Sequence, residues 1–528
     1  MFFSRLLLIV FLLKENSFFF HLFIFGICFA YILGARGNKS NYNIYNKHRL
    51  ILVKCKAILC LFVGRIILKF AILMDFGSTY TKMVCVNIDE HRIVVTGKYP
   101  STVHYNAMIG LYQCFDTAKS AIGDANFKSA LKLASSSAAG GLRMAVVGLT
   151  KSLSIEAGKN ASFSAGAKIV SSVAGSISEK DLHVIENSNA EILLLCGGYE
   201  GGNIKGLLHN AEILSESKLT IPIIYSGNSS IARDIRRIFI GKGKECFLAE
   251  NIIPYIDDLN IEPTADIIRK LFMGRITNMK GVGLVQREMD GSIIPTPAAI
   301  LSAGKLLCCG TENKEGMGPI MLADVGGATT DIYSYIENKS FSGAKIIGTP
   351  EPFAKRTVEG DMGMRESSIC LIEGIGKKDF AKRCGISEGI LEEAIYKRIT
   401  ATDYIADDNK ERIIDHHIAS HAINISARRH AGFVAKEFND GCHLIQRGKN
   451  LTGIKRVIGT GGVIVNEKDA IDILENVKIN LNEKGRILLP ENVDVLVDRD
   501  YVLFAAGLLC KHHRETAFAI MEDSLRLI

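Results

Sequence analysis

Met74-Asp75-Phe76-Gly77-Ser78-Thr79-Tyr80-Thr81-Lys82 is the stretch whose reading decides the fold. It follows the apolar run at residues 70–74 and sets an acid, a glycine and several hydroxyls into one turn. A carboxylate at a strand end can hold Mg²⁺ through waters, and a glycine lets backbone N–H groups approach phosphate oxygens. The hydroxyls and Lys82 add charge-assisted donors. Such a turn is common by itself. Here Ala323-Asp324-Val325-Gly326-Gly327-Ala328-Thr329-Thr330-Asp331 repeats its chemistry after a second apolar strand at residues 320–322. Two copies in one chain imply a duplicated domain closing on a nucleotide.

Outward from the first turn, residues 83–88 and 93–97 read as strands joined by a charged turn, an antiparallel meander that opens an α/β domain. Residues 116–132 carry helical spacing, residues 134–143 are dense in Ala, Ser and Gly, and residues 157–170 read as a small-residue helix. Apolar runs at 192–196 and 221–225 end in glycine turns and alternate with amphipathic segments, which predicts a parallel α/β layer. Its strand ends make Glu200, Asn203 and Asn228 candidate cleft residues. Pro263 and Thr264 mark a helix start, and Pro295-Thr296-Pro297 predicts an extended hinge into another helix. Residues 351–440 read as charged and mostly helical. Within them His417 and His421 share a helix face beside Asp415 and His416, but no HExxH glutamate accompanies them. A short strand at 455–458 runs into Gly459-Thr460-Gly461-Gly462, a turn flat enough to lie under an adenine and ribose. A small-residue helix at 501–511 closes the chain.

The length of 528 residues and 48% hydrophobic content suit two or three domains with substantial cores. The net charge of +7 belongs to the leader: residues 1–73 hold ten Lys or Arg against the single acid Glu15. The body is thus close to neutral, and no nucleic-acid surface is indicated. Thirteen cysteines without metal-site spacing, Cys308-Cys309 among them, fit a reduced compartment. Residues 17–35 are an almost uncharged run near spanning length, followed by Arg36, Lys39, Lys47 and Arg49. Read as a membrane span, it would leave the body in the cytoplasm. The other reading is an extension upstream of a functional chain that starts near Met74.

The three turns, at Asp75–Lys82, Asp324–Asp331 and Gly459–Gly462, resemble those of the actin, Hsp70 and sugar-kinase ATPase superfamily. More narrowly, the small-residue segment 135–142, Gly197-Gly198 with Gly201-Gly202-Asn203, Pro295-Thr296-Pro297-Ala298-Ala299 and Asp324–Asp331 look like the MutL/GlmL family encoded with glutamate mutase. That MutL is unrelated to the mismatch-repair protein of the same name. The resemblance covers residues 70–528 and implies an α/β fold of duplicated actin/Hsp70-like (ribonuclease H-like) ATPase domains around a nucleotide cleft. Residues 1–69 would be the apolar extension, 70–300 the first lobe with an inserted α/β segment, and 301–528 the second lobe. The cofactors implied are ATP and Mg²⁺, the metal held through water by Asp75 and Asp324. Gly77, Ser78, Thr79, Thr81, Lys82, Gly326, Gly327, Thr329 and Thr330 would serve the phosphates, and Gly459, Thr460, Gly461 and Gly462 the nucleoside. Asp324 or Asp331 would orient the attacking water.

The implied partner is an adenosylcobalamin-dependent mutase, such as glutamate (methylaspartate) mutase, with this chain as its reactivating factor in the cytoplasm. Two departures stand out. Family members begin almost at the first phosphate strand, and Tyr199-Glu200 stands where Thr-Asp is expected. Rival functions on the same turns are a hydantoinase/oxoprolinase-like amidohydrolase, a small-molecule kinase, and a non-enzymatic nucleotide-binding scaffold. Activators of 2-hydroxyacyl-CoA dehydratases would need paired cysteines for an iron–sulfur cluster, and no such spacing is present.

Overall fold

A computed structural model of the chain describes residues 69–527, except 78–79, 104–105, 138–141, 257, 277–281, 366, 402–403, 407, 438–442 and 467–468. The chain divides into two units, Met1–Ile67 and Leu68–Ile528, and all the elements named below belong to the second. The expected span at residues 17–35 lies outside the described residues. Among those that are described, no helix is long and apolar enough to cross a membrane.

Two sheets share one topology. In the first, β1 (Phe70–Phe76), β2 (Tyr80–Asn87) and β3 (Arg92–Pro100) form an antiparallel meander. β4 (Leu131–Ser136) lies parallel to β1, and β10 (Ile294–Pro295) parallel to β4. In the second, β11 (Ile320–Val325), β12 (Thr330–Tyr335) and β14 (Ala354–Glu359) repeat the meander. β17 (Arg456–Thr460) and β18 (Asp494–Asp498) repeat the parallel pair, and β19 (Leu525–Leu527) adds an antiparallel edge. The strand orders β10-β4-β1-β2-β3 and β18-β17-β11-β12-β14 correspond strand for strand. This is the duplicated ribonuclease H-like architecture of actin-type proteins.

Between β4 and β10 the first half carries a separate parallel layer. It contains β5 (Arg143–Gly148), β6 (Lys168–Ala174), β7 (Ile192–Gly197), β8 (Ile223–Gly227) and β9 (Cys246–Leu248), in the order β6-β5-β7-β8-β9. Its central strands are near-continuous apolar runs because helices cover both faces. A small sheet of β13 (Lys345–Ile346), β15 (Phe433–Glu437) and β16 (His443–Arg447) decorates the second half.

Five helices position the cleft and the joint between the halves: α1 (Ala107–Ser129), α2 (Glu156–Ser164), α3 (Thr296–Cys309), α4 (Asn409–His430) and α5 (Leu503–Leu509). Two elements differ from the sequence reading. The helix expected over 157–170 stops at Ser164 and gives way to β6. Gly166 (φ 87°) turns the chain where an added Cβ would lie 2.5 Å from Pro295. The stretch expected to be helical over 351–440 begins with β14, which completes the second meander.

Side-chain alternation sorts the strands into cores. In β1, Phe70, Ile72, Met74 and Phe76 enter the core under α1, while Ala71 and Leu73 enter the core between the two sheets. In β11, Met321, Ala323 and Val325 face the helices of the second half, while Ile320 and Leu322 join that same inter-sheet core. Helices α3 and α5, which follow the fifth strand of each half, cross inside it. At Gly507 an added Cβ would lie 2.0 Å from the Ala299 carbonyl oxygen, so the two backbones touch. Gly507→Ala should therefore cost about 1–3 kcal/mol or more of stability by overpacking, seen as a lower denaturation midpoint, whereas Ala505→Gly should cost only the helix-propensity difference of roughly 1 kcal/mol plus a methyl's packing.

Candidate functional site

The inter-sheet core opens at the carboxyl ends of β1 and β11 into a cleft of about 1400 Å³. Alternation decides which polar side chains reach it. Asp75 follows Ala71 and Leu73 on the inter-sheet face, and Asp324 follows Ile320 and Leu322. By the same parity Lys82, Asp331, Thr460 and Asp498 line the cleft. Their sequence neighbours cannot. Thr81 is fully buried against Gly110 of α1, where an added Cβ would lie 2.8 Å from the hydroxyl. Thr330 donates to the Met362 carbonyl at 2.5 Å, and Gly459 packs under Leu474 and Ile464. These three, read from the sequence as nucleotide contacts, face the opposite cores. Ser78 and Thr79 lie outside the described residues. Gly77, Gly326, Gly327, Thr329, Gly461 and Gly462 all border the cleft.

The two hairpins are one structure made twice. Gly77 N–H donates to the Tyr80 carbonyl at 3.0 Å, and Gly326 N–H to that of Thr329 at 2.9 Å. In the third turn Gly461 has φ 97°, and an added Cβ would lie 2.3 Å from the Val325 carbonyl oxygen. Only glycine lets that turn descend onto β11.

The cleft floor is acidic and desolvated. Asp75 accepts hydrogen bonds from Thr296 Oγ1 (2.5 Å), the first residue of α3, and from Ser135 Oγ (3.1 Å). Burial raises its carboxyl above the usual range, with Lys82 and the two hydroxyls pulling the other way. Asp324 is pushed up to about 7, first by burial and then by the charge of Asp331, its cross-strand partner, against the pull of Lys82 and Arg356. Asp331 is held: its Oδ2 accepts from Arg356 Nη2 (2.8 Å) and Nε (3.2 Å) and from Tyr333 Oη (3.3 Å). Its other oxygen is buried without a partner among the described residues. Arg356 also donates to the carbonyls of Phe163 (3.0 Å) and Ala167 (3.4 Å), which ties this hairpin to the inserted layer.

Asp498 is a cleft residue that the sequence reading missed. It accepts from the N–H groups of Val502 (2.8 Å) and Leu503 (3.3 Å) and from Thr460 Oγ1 (3.2 Å), which fastens the start of α5. Burial outweighs these bonds and lifts it to about 6. The signal was legible, since Val495-Leu496-Val497-Asp498 is a third apolar strand ending in an acid. Thr296, Ser135 and Arg356 had no such signature, because their roles depend on chain brought in from elsewhere.

The candidate residues at the strand ends of the inserted layer do not border the cleft. Glu200 accepts from Ser229 Oγ (2.6 Å) and Asn251 Nδ2 (2.7 Å), Asn228 caps Ser230 (3.0 Å), and Asn203 accepts from Lys205 N–H (3.0 Å). Asn203 holds its own loop, while Glu200 and Asn228, which also donates to the Tyr199 carbonyl (2.8 Å), tie neighbouring loops together at the inserted sheet's strand ends. Asp415, His416 and His417 do border the cleft, but Asp415 is shared by Arg365 and Arg398, and His417 and His421 flank Phe380. Burial and Arg383 push His421 down to about 4. Among the described residues no group of three or more His, Cys, Asp or Glu could hold a metal ion in the manner of a protein-only site.

A family model described as MutL protein matches residues 71–525. A relative from Clostridium tetanomorphum named Protein MutL is 35% identical over 456 residues, 86% of this chain and 98% of that protein. Among solved structures, a nucleotide-free acetone carboxylase is 13% identical with a TM-score of 0.36, over 84% of this chain and 70% of that one. An ATP-dependent caprolactamase from Pseudomonas jessenii is 12% identical with a TM-score of 0.35, over 83% and 70%.

The carboxyl of Asp498 sets a pH test. Its folded pKa of about 6 lies above the ordinary 3.8, so the native state keeps a proton that the unfolded chain has lost. Its contribution is greatest at low pH and declines as pH rises from about 4 through 6. Asp498→Asn should remove a decline on the order of 3 kcal/mol in unfolding free energy across that window, measured by denaturant titrations at pH 4 and pH 7.

Proposed function

The chain belongs to the MutL protein family, and from that premise we propose that it binds and hydrolyses ATP as an accessory protein reactivating an adenosylcobalamin-dependent mutase, such as glutamate (methylaspartate) mutase. One observation carries the nucleotide half of this reading: two copies of a single hairpin face each other across one cleft, with a lysine on one wall where the other has an acid. On the first wall Asp75 and Lys82 are cross-strand partners, and Lys82 offers an ammonium. At the matching positions of the second wall stand two acids, Asp324 and Asp331. A phosphate chain suits the first wall and a divalent cation the second. The mutase half of the reading rests on family membership and resemblance.

The residues suit Mg²⁺. Asp324 is a hard oxygen donor at the cleft surface, Asp75 faces it across the floor, and Asp331 keeps one buried oxygen without a partner among the described residues. A bound Mg²⁺ would neutralise charge on the phosphate oxygens. Around it, Lys82 and the turn amide of Gly327 would hold and orient the phosphates, while the N–H groups of Gly77 and Gly326 close their own hairpins and leave room for close approach. The glycines at 461 and 462 let a nucleoside lie flat against the third turn. Asp331 is occupied by Arg356, so Asp324 is the acid left to orient an attacking water and hold its proton. Closure of the two halves about the α3–α5 crossing is the motion that nucleotide would drive, and the bonds from Arg356 to the inserted layer would carry it outward.

Calorimetry of the full chain with ATP·Mg²⁺ tests the first half. Asp324→Ala should lower hydrolysis by about a hundredfold or more, the usual scale for removing a group that acts on the transition state. Adding a cobalamin-inactivated mutase tests the second half: activity should return with ATP and wild-type protein and not with Asp324→Ala. Hydrolysis that requires a small amide or a sugar instead would move the assignment to an amidohydrolase or kinase. ATP-dependent sedimentation without turnover would move it to a scaffold.

A further inference from the structure

The first wall of the cleft carries a second ammonium. Lys98 of β3 is the cross-strand partner of Lys82, so two lysines stand directly opposite each other on neighbouring strands. Both line the cleft. Their ammonium groups converge on one ring, Lys82 Nζ lying 4.2 Å and Lys98 Nζ 5.5 Å from the centroid of Tyr501. Lys98 Nζ also lies 4.2 Å from the Tyr80 ring. Among the described residues neither lysine has a carboxylate within 4.0 Å. Like charges directly opposite in an antiparallel pair destabilise a sheet. The surroundings add to the cost, since burial and the neighbouring charge of Lys82 lower the pKa of Lys98. The aromatic faces position the cations without neutralising them. Lys82 has the acids Asp75 and Asp324 near it to offset its charge, whereas Lys98 is influenced only by burial and by Lys82. A second ammonium set beside the first on the wall of a concave cleft is what an anion with several charges along its length would require.

We propose that Lys98 and Lys82 form a two-ammonium clamp for a phosphate chain, and that Lys98 makes the cleft select ligands with three linked phosphates over shorter ones. The proposal rests on the nucleotide reading of the cleft and extends it to a strand that carries no glycine turn. Sequence alone does not mark Lys98, which sits 16 positions from Lys82 and meets it only through the register of β2 and β3.

The experiment measures binding of ATP, ADP, adenosine and inorganic tripolyphosphate to the full-length protein and to Lys98→Met, with Lys98→Gln as a second neutral variant. In the neutral variants, ATP and tripolyphosphate should each bind about ten- to a hundredfold more weakly, the worth of a charge-assisted hydrogen bond. ADP should lose less and adenosine nothing, and Lys98→Arg should restore most of the loss. Raising salt from 50 to 500 mM should erase much of the difference. Unchanged affinity for ATP and tripolyphosphate would overturn the clamp and leave the ATPase reading untouched, as would an equal loss for adenosine. Tripolyphosphate binding that depends on Lys98, with no ATP hydrolysis under any condition, would keep the clamp and remove the ATPase reading. Lys98-dependent binding of tripolyphosphate without that of ATP would keep the clamp and identify an inorganic chain as its ligand.

Discussion

The backbone contact between α3 and α5 at Ala299 and Gly507 sets the geometry of everything else. Each helix follows the fifth strand of its half. With no side chain between them, the two sheets come close enough to share one core. Each helix is also fastened at its start to a cleft acid: Thr296 at the head of α3 donates to Asp75, and Asp498 accepts from the first N–H groups of α5. The crossing that joins the halves is thus continuous with the floor of the cleft. A change in how the acids are held would be felt at the crossing, and a tilt of the crossing would be felt by the acids.

Duplication made the two walls alike in shape, and substitution made them unlike in charge. Across the first sheet the row reads Ser135, Asp75, Lys82, Lys98. Across the second it reads Thr460, Asp324, Asp331, Val358. The hydroxyl and the first acid are kept at equivalent places, while a lysine on one side faces an acid on the other. Desolvation amplifies the difference, because each unbalanced charge is costly until a ligand of opposite sign arrives. That cost raises the carboxyl of Asp324 to about 7 and lowers the pKa of Lys98. A ligand that brings both an anion and a cation relieves both walls at once.

The inserted parallel layer belongs to the first half by connectivity but is bonded to the second. Arg356 joins Asp331 to the end of α2, and Thr349 donates to the carbonyls of Ser152 (2.7 Å) and Leu153 (3.0 Å). The layer therefore bridges the halves at a distance from their helix crossing, on the side of the second hairpin. Its polar strand ends, at Glu200, Asn203 and Asn228, are spent on bonds within and between the layer's own loops. This is why residues that looked like a ligand loop from glycine content lie outside the cleft.

Much of this was legible in the residues themselves. An apolar strand ending in an acid and a glycine hairpin is a local pattern, and its recurrence at Asp75 and Asp324 indicated the duplication, the α/β class and most of the cleft border. Alternation was legible too, and applied strictly it would have excluded Thr81, Thr330 and Gly459 and drawn attention to Asp498. Sequence by itself determined which strands end in acids and glycines, because strand propensity, side-chain parity and turn chemistry act over a few residues. Only the tertiary structure decided that Thr296 holds Asp75, that Arg356 occupies Asp331 and that Lys98 stands beside Lys82. Those contacts depend on strand register and on helices crossing between distant parts of the chain, and no local rule specifies them.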